Sequence, residues 1–551
     1  MYDIINIVLS AASCLMIAAA FWAAFKKKNN SRFVYAERFA EKYNTVLFWG
    51  IFLVCVLVRV VSYSHIPGGL NQDEASMGYD AYATAFYGID RNGFHFPVYA
   101  VSWGSGQNTL MMYFTAVFVR LFGLSVFTVR LTSLIFGVIT PVMVYLLAKR
   151  LSGGGAGKTN PLSALYIFLL ISIAPWHIML SRWALESNLL PAVFLIGVYL
   201  LVAAAQRKNT VFYCLSAGAF ALSLYAYAAV CIVMPLFLLG ALFRLRKKKL
   251  IGWRQSVGAV SVFIILAAPM ILFFAVNLLG WDPIRTPFFS VPRLTAMRSA
   301  VSFGTAGQNL ADLTRLLITQ NDSLPWNSIG NFGIAYLFLT PFILPGIVSV
   351  IRHRKDYPYK PLMLWWFICA FVLGCLIHVN INRINLIFIP FIYLIGEGIF
   401  FSAQKIRFGG AAATVAAAAA FVLFCGTYFG KAYTAQIGKS FDASYGEAVK
   451  AAYADSGGTR TVYLTPANGA EAMALFYTEY DPRVYVNTVV YTDPNAEFRP
   501  VASFGNFKMG IPLEPDNTAI YVVENDQLYE FENEDFQITR FEYYAVAAGV
   551  G

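Results

Sequence analysis

Asp73 and Glu74 stand side by side in the segment HIPGGLNQDEASMGYDAYATAFYG, shortly after an apolar run. A carboxylate there could take a proton from an attacking hydroxyl or ligate a divalent cation. Only 13 of the 30 acidic residues precede Lys431, so an acidic pair beside an apolar run is conspicuous. Ionised carboxylates near hydrocarbon are costly and are kept for a partner or a reaction. The competing reading is a solvated loop in which Asp73 caps the following helix. Farther along, SRWALESNLLP offers Arg182 and Glu186. Glu186 could complete a carboxylate cluster with Asp73, and Arg182 could balance it; an i,i+4 pair of Arg182 and Glu186 on one helical turn accounts for them equally well. The segment HVNINRINLIFIP offers Arg383, with His378, Asn380 and Asn382 as hydrogen-bond donors beside it. Its guanidinium fork matches phosphate oxygens, against the plainer account that it snorkels.

The elements that must position these residues are membrane spans. Of 551 residues, 58% are hydrophobic and 13% charged, with mean hydropathy +0.59, which belongs to membrane proteins. A span needs about 20 apolar residues. The runs 3–25, 46–63, 126–148, 161–178, 189–205, 210–227, 228–243, 256–276, 331–351, 361–378, 384–400 and 410–427 qualify, giving about 12 spans with 11–13 as the range. The basic clusters Lys26-Lys27-Lys28, Lys149-Arg150 with Lys158, Arg207-Lys208, Arg244 to Lys249, Arg352 to Lys355, and Lys405 with Arg407 then share one side. The positive-inside rule makes that side the cytoplasm. This parity requires Leu110 to Phe122 to lie on the outer surface as an interfacial or re-entrant helix. The first run is too long for a signal-peptide core and carries its lysines after the apolar stretch, so it reads as a span.

The outer face then receives 64–125, 179–188, 277–330, 379–383 and everything after 428. Its cations before the tail are all arginine: Arg91, Arg120, Arg182, Arg285, Arg293, Arg298, Arg315 and Arg383, with Arg130 at the mouth of a span. Snorkelling accounts for about half of these; the sharper reading is a face that handles a phosphate-bearing ligand. The loop 277–330, with Arg285 and Arg293, is long enough to serve as a substrate lid. Residues 431–551 carry 17 acidic against 8 basic residues, and TRTVYLTP and TAIYVVEN read as strands among helical stretches near 442–455 and 468–478. This is a small extracytoplasmic α/β domain. The organisation expected is an extra span and cytoplasmic linker over 1–45, a transmembrane catalytic domain over 46–430, and the soluble domain over 431–551. The seven cysteines sit in apolar runs and read as small buried hydrophobes; His177 reads as a satisfied structural histidine. SGGGAGKT at 152–159 imitates a phosphate loop but lies in a short connector with no strand before it. Nucleic acid is excluded as a partner, because the basic charge is split among short loops.

The acidic pair after an early span, then FVRLFGLSVFTVRLTSLIFGVITPVMVYLLAKRL, then IAPWHIMLSRWALESNLLP, resembles the GT-C superfamily of membrane glycosyltransferases. Their order is similar to the branch holding the protein O-mannosyltransferases and the aminoarabinose transferases of lipid A. The resemblance covers roughly 46–400. It implies a sugar donor carried on polyprenyl phosphate, transfer outside the cytoplasm to a lipid, glycan or protein acceptor, and inversion at the sugar. It makes Asp73 the catalytic base, with Glu74 in support and Glu186 at the family's second acidic position, where many relatives carry aspartate. Gly106-Gln107-Asn108 falls where relatives carry a Glu-Lys pair or a His-Pro-Pro run, so Asn108 stands in the carrier-phosphate region without the family's residues. Arg182, Arg383, Arg285, Arg293 and His378 are the other candidates for that phosphate. The resemblance assigns no certain cofactor and leaves a divalent cation open. The alternatives are a transporter or flippase of a lipid-linked sugar, and an oligosaccharide polymerase or ligase using the same carrier.

Overall fold

The computed structural model describes residues 2–26, 33–103, 105–153, 161–296, 301–467 and 469–551. Its first helices are α1 (Tyr2–Phe25), α2 (Phe33–Lys42), α3 (Asn44–Val60), α4 (Gln72–Tyr87), α5 (Leu110–Phe122) and α6 (Val126–Leu151). Next come α7 (Pro161–Ile173), α8 (Pro175–Leu180), α9 (Glu186–Arg207), α10 (Thr210–Ser223), α11 (Val230–Lys247) and α12 (Trp253–Leu279). The apolar part ends with α13 (Ala306–Thr319), α14 (Ile343–Arg352), α15 (Pro361–Leu376), α16 (Phe388–Lys405) and α17 (Gly409–Tyr428). Two small hairpins interrupt it: β1 (Tyr99–Ala100) with β2 (Gln107–Asn108), and β3 (Ile284–Arg285) with β4 (Ser290–Val291).

Every run expected to span is helical over most of its length. Among the described residues six helices are long and apolar enough to cross a membrane, α1, α6, α9, α12, α16 with its preceding turn, and α17; the pair α2 and α3, bent by 79°, makes a seventh if it is one broken span. A count of about 12 is reached only if α11, with three basic residues in its last turn, and the shorter helices α7, α10, α14 and α15 also cross. They are short for local reasons. The run 161–178 breaks at Ala174, where the backbone is extended ahead of Pro175, and the run 331–351 opens with a tight 3-10 turn over Leu337–Phe342 before α14. The crossing of α14 with α16 is so close that a Cβ on Gly346 or Gly398 would meet the backbone oxygens of Leu394 or Phe342 within 2 Å, so only glycine fits there. The cysteines are all free; Cys55 and Cys369 are buried, but Cys14 is exposed on α1.

Helix α5 has 13 residues, about 20 Å of rise against roughly 30 Å of hydrocarbon. It buries Leu110, Met111, Thr115, Ala116 and Val119 and turns Phe114, Val117, Leu121 and Phe122 outward. That is a helix with one face on the protein and a second apolar face for lipid.

The segments grouped by charge parity meet at one end of the bundle. Ile381 N–H donates to Asp322, Asn385 donates to the Ser187 carbonyl, and the Tyr433 hydroxyl donates to the Pro325 carbonyl. At the other end Arg150 donates to Gln206, Gln255 to the Lys208 carbonyl, and Lys360 to Glu397 at 2.7 and 2.8 Å. Segment 154–160 (most of the phosphate-loop imitation) and Arg298 lie outside the described residues.

The tail comprises α18 (Lys431–Ser440), α19 (Tyr445–Ser456), β5 (Val462–Leu464), α20 (Ala470–Tyr477), α21 (Pro482–Thr488) and β6 (Val490–Tyr491). It closes with β7 (Val501–Phe504), β8 (Phe507–Met509), β9 (Ile520–Glu524), β10 (Phe536–Arg540) and β11 (Tyr544–Gly549). Its seven-stranded sheet has the order β10-β11-β9-β5-β8-β7-β6. The strands expected at TRTVYLTP and TAIYVVEN are β5 and β9, paired in parallel. Helix α20 packs on α4, where the Tyr79 hydroxyl donates to the Tyr480 carbonyl at 2.7 Å.

What fixes α4 is a buried ion pair. Arg130 of α6 donates from Nε and Nη2 to Glu74 at 2.9 and 2.8 Å, and both side chains are fully buried. The same guanidinium serves the carbonyls of Pro67 (2.7 Å) and Gly69 (2.9 Å). Removing one partner strands a buried charge, so Arg130→Met should cost about 3–5 kcal/mol, read as a lower melting temperature of the purified protein.

Candidate functional site

Helix α4 begins two residues earlier than a cap at Asp73 would have it. Asn71 is the N-cap, its side chain accepting the Asp73 N–H at 2.9 Å, and Glu74 reaches back to the Asn71 N–H at 3.1 Å, which closes a capping box. Asp73 therefore sits within the first turn. Glu74 points into the protein, where it also accepts the Ala184 N–H at 2.7 Å. It was expected beside Asp73 as a catalytic carboxylate. In the structure four donors saturate it inside the fold, outside the cavity that Asp73 lines.

Ala184 lies two residues before Glu186, the first residue of α9. Glu74 thus holds the strands of chain carrying both Asp73 and Glu186. Glu186 in turn accepts the Asn108 backbone N–H, and the Asn108 side chain donates to the Leu224 carbonyl at 2.9 Å. Asn108 positions Glu186 with its backbone, and its side chain is turned away toward α10.

Between these elements lies a cavity of about 410 Å³. Asp73, Glu186, Arg383, Asn380 and Asn382 line it, as do Ser102, Trp103, Ser105, Gly106 and Gln107. Gln72, Leu185, Ser187, Tyr227 and Phe498 complete the wall. Two carboxylates and one guanidinium thus face a single space ringed by hydroxyls and amides. The Asn380 side chain accepts the Arg383 N–H at 2.8 Å, which turns the segment so that residues 380, 382 and 383 all reach the cavity. Gly106, with φ +85° and Tyr99 carbons 2.4 Å from where its Cβ would be, admits no side chain at the hairpin tip.

The other expected phosphate ligands lie elsewhere, each for a physical reason. Arg182 is fully buried and donates to the carbonyls of Val58, Arg59, Val61 and Ile66 at 2.8–3.2 Å. It caps the C-terminus of α3, where a cation completes orphaned carbonyls, and stacks over Phe429; it makes no helical-turn pair with Glu186. Arg285 is exposed over the Phe94 ring, and Arg293 and His378 are exposed outside the lining. His177 is buried, its Nδ1 2.9 Å from an Arg59 amino group. Of the arginines expected outside that lie among the described residues, Arg383 is the one that lines the cavity. Sequence reasoning missed Trp103, Tyr227 and Phe498; Phe498 comes from the tail loop between β6 and β7, far along the chain. Among the described residues no three His, Cys, Asp or Glu side chains gather as a cation cage.

Beneath this wall a second network joins α4 to the tail. Arg91 pairs with Asp80 at 3.0 Å and approaches Glu471 of α20 at 3.8 Å. Asp90, next to it, accepts the N–H groups of Asn92 and Phe94 through one oxygen, and its other oxygen is buried with no hydrogen-bond partner. Burial, then the neighbouring Asp80, pushes its carboxyl up to about 7.

The folded protein then binds one more proton than the unfolded chain between the ordinary carboxylate range and about pH 7. Its contribution to stability is complete in acid and is lost as pH rises through 7. The melting temperature should fall from pH 5 to 8, and Asp90→Asn, which mimics the protonated acid, should flatten that dependence.

Comparisons with known proteins agree with this architecture. The family model described as the YfdI N-terminal transmembrane domain matches residues 58–286. The structure of ArnT from Cupriavidus metallidurans bound to undecaprenyl phosphate superposes with TM-score 0.55 at 12% identity, over 92% of this chain and 98% of that one. Its apo form gives 0.53 at 12% identity over the same shares. An oligosaccharyltransferase from Archaeoglobus fulgidus gives 0.46 at 13% identity, over 80% of this chain and 64% of that one. A comparison with curated protein sequences finds no match. The chain shares its fold with ArnT.

Proposed function

We propose that this protein transfers a sugar from a polyprenyl-phosphate carrier to an acceptor hydroxyl in the cavity that Asp73, Glu186 and Arg383 share, at the outer face of the membrane. The observation that carries the reading is that convergence: two carboxylates and one arginine, from three separate segments, on one space. The bound carrier in the ArnT structure is an undecaprenyl phosphate, and a shared fold makes that carrier class the natural donor here.

In this reading Asp73 takes the proton of the acceptor hydroxyl as its oxygen attacks the anomeric carbon. The bond from that carbon to the phosphate oxygen breaks, and the sugar inverts in a single displacement. The polyprenyl phosphate leaves with the bonding electrons, and Arg383 stabilises the charge that develops on it. Glu186, fixed by the Asn108 N–H, accepts a hydrogen bond from a sugar hydroxyl and orients the ring. Asn380 and Asn382 supply amides to the phosphate or the sugar. Glu74 acts on none of these atoms; it holds Asp73 and Glu186 at their separation through the Arg130 pair.

Asp73→Asn should lower kcat/KM by about 10²–10⁴-fold, the usual worth of a general base, in membranes supplied with a polyprenyl-phosphate hexose. Unchanged transfer would remove Asp73 from that role. Arg383→Ala should cost about 10²–10³-fold in kcat, with part of the loss recovered in Arg383→Lys. For orientation, a cysteine replacing the exposed, charged Arg120 of α5 should react with an impermeant maleimide from outside intact cells, while one at Lys247 should not; the reverse pattern would turn the molecule over.

A further inference from the structure

We infer that Trp103 and Phe498 form the acceptor subsite of this cavity, and that the acceptor is a neutral carbohydrate ring. This rests on the reading of the cavity as a glycosyl-transfer site and names what that site receives.

The two residues stand on the same cavity wall but come from opposite halves of the chain. Trp103 lies in the β1–β2 hairpin loop, and Phe498 in the tail loop 492–500, which the Thr492 N–H closes onto the Pro500 carbonyl at 2.8 Å. One backbone bond ties the loops together: Arg499 N–H donates to the Trp103 carbonyl at 3.2 Å. The Arg499 guanidinium adds a bond to the Asn92 side chain at 3.1 Å and sits over the Tyr491 ring. The spacing of the two rings is therefore set by this joint. Trp103 also holds φ at +47°, a conformation that a bulky side chain adopts only when its surroundings enforce it. Behind it, the Arg91 guanidinium lies 5.8 Å from the ring centroid, and Trp103 lines both the large cavity and the small polar one around Arg91, Glu471 and Arg499.

A half-exposed phenylalanine and a strained tryptophan at the rim of a polar cavity offer apolar faces beside hydroxyls and amides. The C–H face of a sugar ring is the ligand surface that uses both. The charge balance selects among sugars: among the described residues of the lining Arg383 is the single cation, against Asp73 and Glu186. With that cation committed to the carrier phosphate, an anionic acceptor would meet two carboxylates and be repelled. A neutral ring is accepted.

The test places the photoreactive residue p-benzoylphenylalanine at position 498 in the full-length chain and irradiates native membranes. The expected adduct carries a saccharide by mass spectrometry. An adduct with peptide or with lipid alone, or no adduct from a protein that melts like the parent, overturns the assignment. The saccharide so identified then serves as acceptor, and Phe498→Leu should raise its KM about tenfold, in the range of an aromatic contact, with Phe498→Trp restoring it. Adding Asp73→Asn to the photoreactive chain should keep the saccharide adduct while transfer is lost. Transfer that survives Asp73→Asn would strike the proposed chemistry and leave the subsite standing.

Discussion

The ion pair between Glu74 and Arg130 is the constraint on which the rest of the site depends. Both side chains are fully buried, so each would be prohibitively costly alone. The pair is sustained because every donor and acceptor around it is used: Glu74 takes the N–H groups of Asn71 and Ala184, and Arg130 takes the carbonyls of Pro67 and Gly69. Through those bonds it gathers the entrance of α4, the loop before it, α6, and the chain leading to α9. A buried pair of this kind adds little net stability over an apolar substitute. What it supplies is registry, because only one arrangement of these four segments leaves no charge unpaired.

Asp73 and Glu74 illustrate how neighbouring residues divide labour on a helix. Consecutive positions are rotated by about 100°, so a helix with its second face in the core must send one of the pair inward. Asn71 as N-cap decides which. The outward carboxylate meets the cavity, and the inward one becomes its foundation. The tail is bonded to the same helix through Tyr79 and Tyr480 and through the Arg91 network, so the membrane part and the sheet act on one element from two sides.

Much of this was legible in the sequence, and the failures share a cause. Apolar run length located the helices, and charge parity grouped the loops that now meet at one end. Asp73, Glu186 and Arg383 were each placed beside an apolar run, and they line one cavity. The sequence could not distinguish an arginine facing phosphate from one facing carbonyls. Arg182 and Arg383 occupy equivalent places at helix ends, yet Arg182 finds the unsatisfied carbonyls of α3, and Arg383 is turned by Asn380 toward open space. His378 belongs to the same segment and falls outside, because that turn reverses direction after it. Phe498 carried no local signal at all; its meaning comes from the Arg499 bond to Trp103.

That bond has a consequence for when the protein becomes competent. Asp73, Glu186 and Arg383 are all synthesised before the tail, so a growing chain already holds its charged groups at the membrane. The wall supplied by Phe498 arrives later, in the loop between β6 and β7, and it is held once those two strands pair across it. A ribosome-bound or truncated chain would therefore present an open, unselective trough. The pairing of β6 with β7, late in the chain, is thus what closes that side of the cavity.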